Sequence, residues 1–308
     1  MRSRWWIAPF AVALMWPAPV AAQSLPRTVL NDLKHGVGDI VAVWTSPFRG
    51  SGRDYVTGAL VVGAVGVTAL FDDDVGDWVY ANGDSWALDA LKPFREREKK
   101  PKLVDLGAGT SLVQIGGGLY LLGLAIGSEE VRDAGIGCIA AEKSNGIPRH
   151  YIYRSVSRER PLYQQVTGVD TIFRKGDPYD ISFPSRDDWY DNSFFGGHGA
   201  NVMSCVSFMN HRFELGLVVP LLWTVAAGVN VGRIADQRHW SSDVVVGAVI
   251  GFAIGKYVAE RSLDRKAERA GASNGGAEPD ATLKDAVLGG LWVEQSEGRT
   301  YVGWKRGF

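Results

Sequence analysis

The chain has 308 residues, 46% of them hydrophobic, and its 33 basic and 34 acidic side chains leave a formal net charge of −1. That length and apolar share suit one sizeable domain, or one domain with a tail. The even charge balance excludes a basic surface large enough to neutralise a nucleic-acid backbone, so nucleic acid is not an expected partner.

The N-terminal stretch MRSRWWIAPFAVALMWPAPVAAQS carries two arginines, an apolar run and the small residues Val20, Ala21 and Ala22 before Gln23. This three-part layout predicts a secretory signal over residues 1–22, and with it export to a bacterial-type cell envelope. Export permits a bridge between the two cysteines, Cys138 and Cys205, but two buried thiols fit the sequence as well. Residues 23–54 have apolar positions at helical spacing and predict an amphipathic helix with its connection.

Four apolar runs follow, starting at Tyr55, Gly107, Leu215 and Asp243, and weaker helices fit Val131–Ile147 and Gly199–Met209. Strand-like alternation is almost absent before the tail. Residues 55–260 therefore read as an all-α bundle of about six core helices. The runs approach the ~17–25 residues that cross a bilayer and are rich in glycine and alanine, as packed membrane helices are. Buried helices of a soluble bundle share this pattern, and the mean hydropathy of −0.04 is modest. Length and glycine content favour the membrane-embedded reading. The basic segment KPFREREKKPK is expected on the cytoplasmic side by the positive-inside tendency. Residues 261–282 form a polar, glycine-containing linker. In the tail, residues 283–308, LWVEQSEGRTYVGWKRGF predicts two short strands around a glycine turn.

Three stretches carry chemistry. RIADQRHWSSDVVVGA places His239 six positions after Arg233 and Asp243 four after His239. On a helix His239 and Asp243 share a face, so the carboxylate is expected to accept a hydrogen bond from the imidazole and fix its tautomer. YRSVSRERP supplies Arg154, Arg158 and Arg160 before Pro161 at a helix end. SFFGGHGANVMS puts Gly196, Gly197 and His198 at an expected helix start, where backbone N–H groups and the dipole favour an anion. Arginines, a glycine-rich helix start and two histidines make a phosphoryl site. No histidine-carboxylate cluster with metal-ligand spacing stands out, so neither metal nor cofactor is expected.

In this order, the three stretches resemble the type-2 phosphatidic acid phosphatase superfamily, which includes vanadium haloperoxidases and bacterial class A acid phosphatases. The family pattern is Lys, six residues, Arg-Pro; then Pro-Ser-Gly-His; then Ser-Arg, five residues, His, three residues, Asp. The resemblance implies His239 as nucleophile, Asp243 as its orienting group and His198 as general acid, then base. It implies Arg160, Arg233 and Gly197 as phosphate-binding groups. Four positions depart from the pattern: Tyr153 stands at the lysine, Phe195 and Gly196 at the second motif's proline and serine, and Gly232 at the third motif's serine. Arg154 and Lys143 are the candidate replacements for the lost cation. The implied activity is metal-independent hydrolysis of a phosphate monoester or pyrophosphate, with a lipid phosphate as substrate, the membrane as setting and the site facing the periplasm. A soluble periplasmic acid phosphatase and a degenerate binding protein remain open alternatives. Residues 162–197, long and polar, predict a lid in which Trp189 and Tyr190 contact substrate.

Overall fold

The computed structural model describes residues 25–83, 85–95, 103–167, 170–183, 193–273, 291–296 and 299–304. The expected signal and residues 274–282 of the expected linker lie outside the described residues, as do Trp189 and Tyr190, whereas residues 261–273 of that linker continue the last helix. The helices are α1 (Leu25–Thr45), α2 (Gly52–Ala69), α3 (Asp72–Ala81), the short α4 (Trp86–Asp89), α5 (Gly109–Ala125), α6 (Glu129–Ser155), α7 (Gly197–Arg212), α8 (Val218–Ala235) and α9 (Ser241–Ser273). The expected all-α body is what the chain builds.

Strands occupy more of the chain than its alternation suggests. A two-residue pair joins β1 (Ser157–Arg158) to β4 (Ile181–Ser182). Between them β2 (Leu162–Thr167) and β3 (Asp170–Lys175) form an antiparallel hairpin in which Thr167 faces Asp170. The expectation of almost no strand before the tail is corrected here. LYQQVT and DTIFRK are rich in β-branched and aromatic residues on either side of Gly168-Val169, a composition suited to a short ribbon. The expected tail hairpin is present as β5 (Leu291–Ser296) paired with β6 (Arg299–Trp304).

Close backbone approach organises the bundle. Gly247, Gly251 and Gly255 fall four apart on α9 and face α7. A Cβ at Gly255 would lie 2.1 Å from the Ser204 carbonyl oxygen, and one at Gly251 2.3 Å from that of Ala200. Small residues at i, i+4, i+8 let the two helices touch along their backbones. Phe208, fully buried, fills the space beside Gly137 of α6. Cys138 of α6 and Cys205 of α7 form a disulfide across the same contact, deciding between bridge and free thiols. Pro148 lies inside α6. It has no N–H for the Ser144 carbonyl one turn earlier, and that carbonyl instead accepts a bond from the Trp44 indole of α1 at 3.1 Å.

Among the described residues two helices, Val218–Ala235 and Ser241–Gly271, are long and apolar enough to cross a membrane, each holding an 18-residue stretch of mean hydropathy 1.5. The pair α2 and α3, bent by 45°, passes the same test jointly, and α5 is shorter. Charged groups gather at the two ends of α9. Asp243 lies in its first turn. Arg261 and Arg265, both held by Asp39 of α1, lie about 30 Å further along at ~1.5 Å per residue. The apolar stretch between them matches the ~30 Å hydrocarbon core of a bilayer.

Candidate active site

The C-terminal end of α6, the N-terminus of α7, the turn between α8 and α9, and the first turn of α9 meet at one end of the bundle. They bring together Arg160, Gly197, His198, Arg233, His239 and Asp243. The site begins at Asp72, the first residue of α3. Its buried carboxylate accepts from the Ser242 backbone N–H at 2.9 Å and from the Ser241 and Ser242 hydroxyls, capping α9 from outside. Asp243 caps the helix from within, accepting the Trp240 N–H at 3.1 Å from the third position of the first turn. Arg158 spans the two carboxylates, pairing with Asp72 at 2.8 Å and with Asp243, and donates to the Pro178 carbonyl at 2.8 Å. Its guanidinium lies 5.9 Å from the ring centre of the buried Trp240. Arg158 therefore braces the start of α9.

His239 sits in the connection between α8 and α9, 2% exposed. Its Nδ1 lies 2.6 Å from the Ser193 backbone carbonyl. A carbonyl only accepts, so Nδ1 carries the proton and Nε2 keeps its lone pair. Direct pairing of His239 with Asp243 is not what forms. Helix α9 starts at Ser241, so His239 lies before the helical register that would align the two. Asp243 instead accepts the Ser193 hydroxyl at 2.5 Å, and Ser193 thereby joins carboxylate to imidazole through a single residue. Burial, with the charges of Arg233 and Arg160, holds the His239 pKa well below its ordinary value, and His198 adds to this. The imidazole is neutral at neutral pH.

Arg160 is buried just beyond β1 and donates to the Arg238 carbonyl at 3.3 Å. Arg233, also buried, ends α8. Gly197 and His198 open α7, and His198 borders a cavity of about 470 Å³ also lined by Glu142, Lys143, Arg149, His150 and Asn201. His150, expected near the site, is at its mouth. Arg154 lies in the last turn of α6, but its side chain is outside the described residues. Lys143 is tied to Glu142 at 2.9 Å. Among the described residues no group of three His, Cys, Asp or Glu could hold a metal ion.

Three of the four departures from the family pattern have local causes. A Cβ at Gly232 would lie 2.4 Å from the Phe94 carbonyl oxygen, so Phe94 occupies the serine's place. At Gly196 a Cβ would press on the backbone of Asp243 and Val244 at 3.2 Å, while the Gly196 N–H donates to the Asp243 carbonyl at 3.0 Å. The loop is drawn tightly onto α9. Tyr153 donates its hydroxyl to the Phe195 carbonyl at 2.8 Å, tying α6 to the same loop. Burial keeps its phenol above the ordinary pKa although Arg149, Arg160 and Arg233 all act to lower it. Sequence reasoning missed Ser193, Arg149 and Asp72. Ser193 opens the stretch SFFGGHGANVMS but stands outside its spaced positions, Arg149 and Asp72 fall in none of the three stretches, and each is defined only by what folds against it.

Residues 153–266, a little over a third of the chain, match the family described as the PAP2 superfamily. The lipid A 1-phosphatase of Porphyromonas gingivalis is 35% identical over 69 residues, which is 21% of this chain and 15% of that protein. The chain thus aligns with a small part of that relative's length. Among solved structures, a transmembrane PAP2-type phosphatidylglycerolphosphate phosphatase from Bacillus subtilis matches at TM-score 0.39. It is 14% identical, over 76% of this chain and 97% of the other.

Proposed function

We propose, from the PAP2 superfamily segment at residues 153–266, that this chain is a membrane phosphatase that removes phosphate from a lipid phosphate through a phosphohistidine on His239. The observation that carries the reading is the single neutral tautomer of a buried histidine held beside Arg160, Arg233 and His198. Nε2 of His239 attacks phosphorus while the bond to the leaving alcohol breaks, and His198 protonates the departing oxygen. Arg160 and Arg233 hold the equatorial oxygens together with the N–H groups of the first turn of α7. Water, deprotonated by His198, then attacks phosphorus and releases His239 and phosphate. The positive charge on the phosphorylated imidazole is delocalised over both nitrogens, and the Ser193 carbonyl accepts the bond from Nδ1 throughout.

Two charged layers about one bilayer apart support a site at the membrane interface, where a phosphate head enters while its acyl chains remain in lipid. The Cys138–Cys205 bridge supports an exported protein with the site on the periplasmic side. The charge rule argues the other way, since Arg95 of the basic segment bonds Asp236 at the site end, at 3.2 Å.

The test is phosphate release by detergent-solubilised protein from phosphatidic acid, a lipid pyrophosphate and a soluble phosphomonoester. Turnover of a lipid substrate that disappears in His239→Ala is expected. Preference for the soluble ester would point to an acid phosphatase, and silence on all three would sink the enzymatic reading. Turnover of impermeant substrate by intact spheroplasts checks the orientation.

A further inference from the structure

We propose that Arg149 is a phosphate-binding residue of this site, supplying from one helical turn upstream the cation that the family pattern places at position 153. The inference rests on the phosphatase reading above and concerns how this particular chain completes its anion site.

Positions 149 and 153 are one turn apart on α6, so their side chains share a face. The Arg149 guanidinium lies 5.8 Å from the ring centre of Tyr153. It also covers the first residue of α7: a Cβ on Gly197 would fall 2.1 Å from Nη1 of Arg149. The bare Cα of Gly197 is therefore what lets the guanidinium reach the helix start. An anion taken by the N–H groups of that first turn meets this guanidinium directly, beside His198, and Arg149 lines the same cavity as His198.

Beyond its contact with the Tyr153 ring, the charge of Arg149 is not met by an opposite charge among the described residues. Its hydrogen bond is a long one, 3.5 Å to Oδ1 of Asn201. That oxygen already accepts from Asn145 at 2.6 Å, and the Asn201 amide donates to Gly107 at 3.1 Å. Lys143, by contrast, is neutralised by Glu142. A partly buried guanidinium aimed at a helix N-terminus works against the local dipole. That placement is unfavourable in the empty site and is offset once an anion lies between the two. A planar fork here also gives bidentate contact that a lysine at 153 would not.

Orthovanadate binding by purified protein in detergent, followed by calorimetry, is the direct test, with phosphatidic acid turnover alongside. Arg149→Met should weaken vanadate binding at least tenfold and lower kcat/KM by about 10²–10³-fold, the scale of losing one preorganised donor to the transition state. Arg149→Gln keeps a long polar stem for Asn201 without the charge, and should show the same loss if the Met variant does not fold. Adding Tyr153→Lys to Arg149→Gln should restore part of the vanadate affinity, which a merely structural role for Arg149 would not predict. Vanadate affinity and kcat/KM equal to wild type in folded Arg149→Gln would overturn the inference and leave the phosphatase reading intact. Wild-type protein that neither binds vanadate nor turns over phosphatidic acid would overturn both.

Discussion

At the scale of single residues, the site depends on keeping His239 neutral while surrounding it with positive charge. A histidine whose folded pKa is depressed contributes stability that is present above its unfolded pKa, near 6.5, and lost as pH falls through the folded value. The His239 shift comes chiefly from burial and then from Arg233 and Arg160, so this loss begins near 6.5 and runs well to its acid side. The proposed nucleophile should stay unprotonated over the same window. We expect kcat/KM to show no acid limb near 6.5 and to fall only at lower pH. Unfolding midpoints of His239→Asn should lose part of the acid sensitivity seen in wild type. An acid limb centred on 6.5 would mean that His239 is solvated in the working enzyme. Ser193 offers a second test, because its two polar groups do different things. Ser193→Ala removes the hydroxyl bond to Asp243 but keeps the carbonyl that orients His239. The expected cost is about 1–3 kcal/mol for a buried carboxylate losing one donor, read by denaturant unfolding. Phosphate release should fall by much less than in His239→Ala.

Helices were legible in the sequence to different depths, and the packing of α9 on α7 shows where legibility stopped. The spacing GAVIGFAIG announces small residues at every fourth position of α9. Nothing in it names the partner, which is the backbone of α7 more than forty positions earlier. The order of the three motifs and the helix ends that carry them could likewise be read directly. Helical spacing of His239 and Asp243 misled, because the helix begins two residues after the histidine. Arg158 could not be assigned from its position among motif residues, since its use is set by Asp72, which lies 86 positions away. Glycine substitutions separate contact from propensity at this scale. Gly255→Val would drive side-chain atoms into the Ser204 carbonyl, and overpacking of this kind costs typically 1–3 kcal/mol, or about 3 and above against rigid backbone. Gly117 and Gly118 of α5 have nothing within 4 Å of an added Cβ. Alanine at either should stabilise by about 0.5–1 kcal/mol through helix propensity alone. Opposite signs in thermal unfolding would confirm the contrast; equal effects would mean that the α7–α9 approach is looser than described.

Across the described residues, the proposed reaction centre and the charged pairs around Asp39 sit at opposite ends of α9, about 30 Å apart at ~1.5 Å per residue. At the far end Asp39, 1% exposed, accepts from Arg261 at 2.8 Å and from both Nη atoms of Arg265 at 2.6 and 2.9 Å. Arg212 and Ser262 meet Asp133 nearby, through bonds of 2.7 and 2.5 Å. These pairs join α1, α6 and α7 to the last turns of α9, just where an apolar span has to end. Replacing Asp39 with asparagine leaves the volume but removes the charge that both arginines face. A fully buried pair broken this way costs about 3–5 kcal/mol. The Arg261 side chain is about one third exposed, so water recovers part of that and about 2 kcal/mol is expected. Sites so far apart with no shared partners should contribute independently. Asp39→Asn is therefore expected to lower the unfolding midpoint in detergent while leaving kcat/KM per folded molecule within about twofold, since RT ln 2 is only ~0.4 kcal/mol. A parallel fall in kcat/KM would show that α9 transmits strain along its length from the charged end to His239. The two ends would then have to be treated as one cooperative unit rather than as a reaction centre carried on a separate anchor.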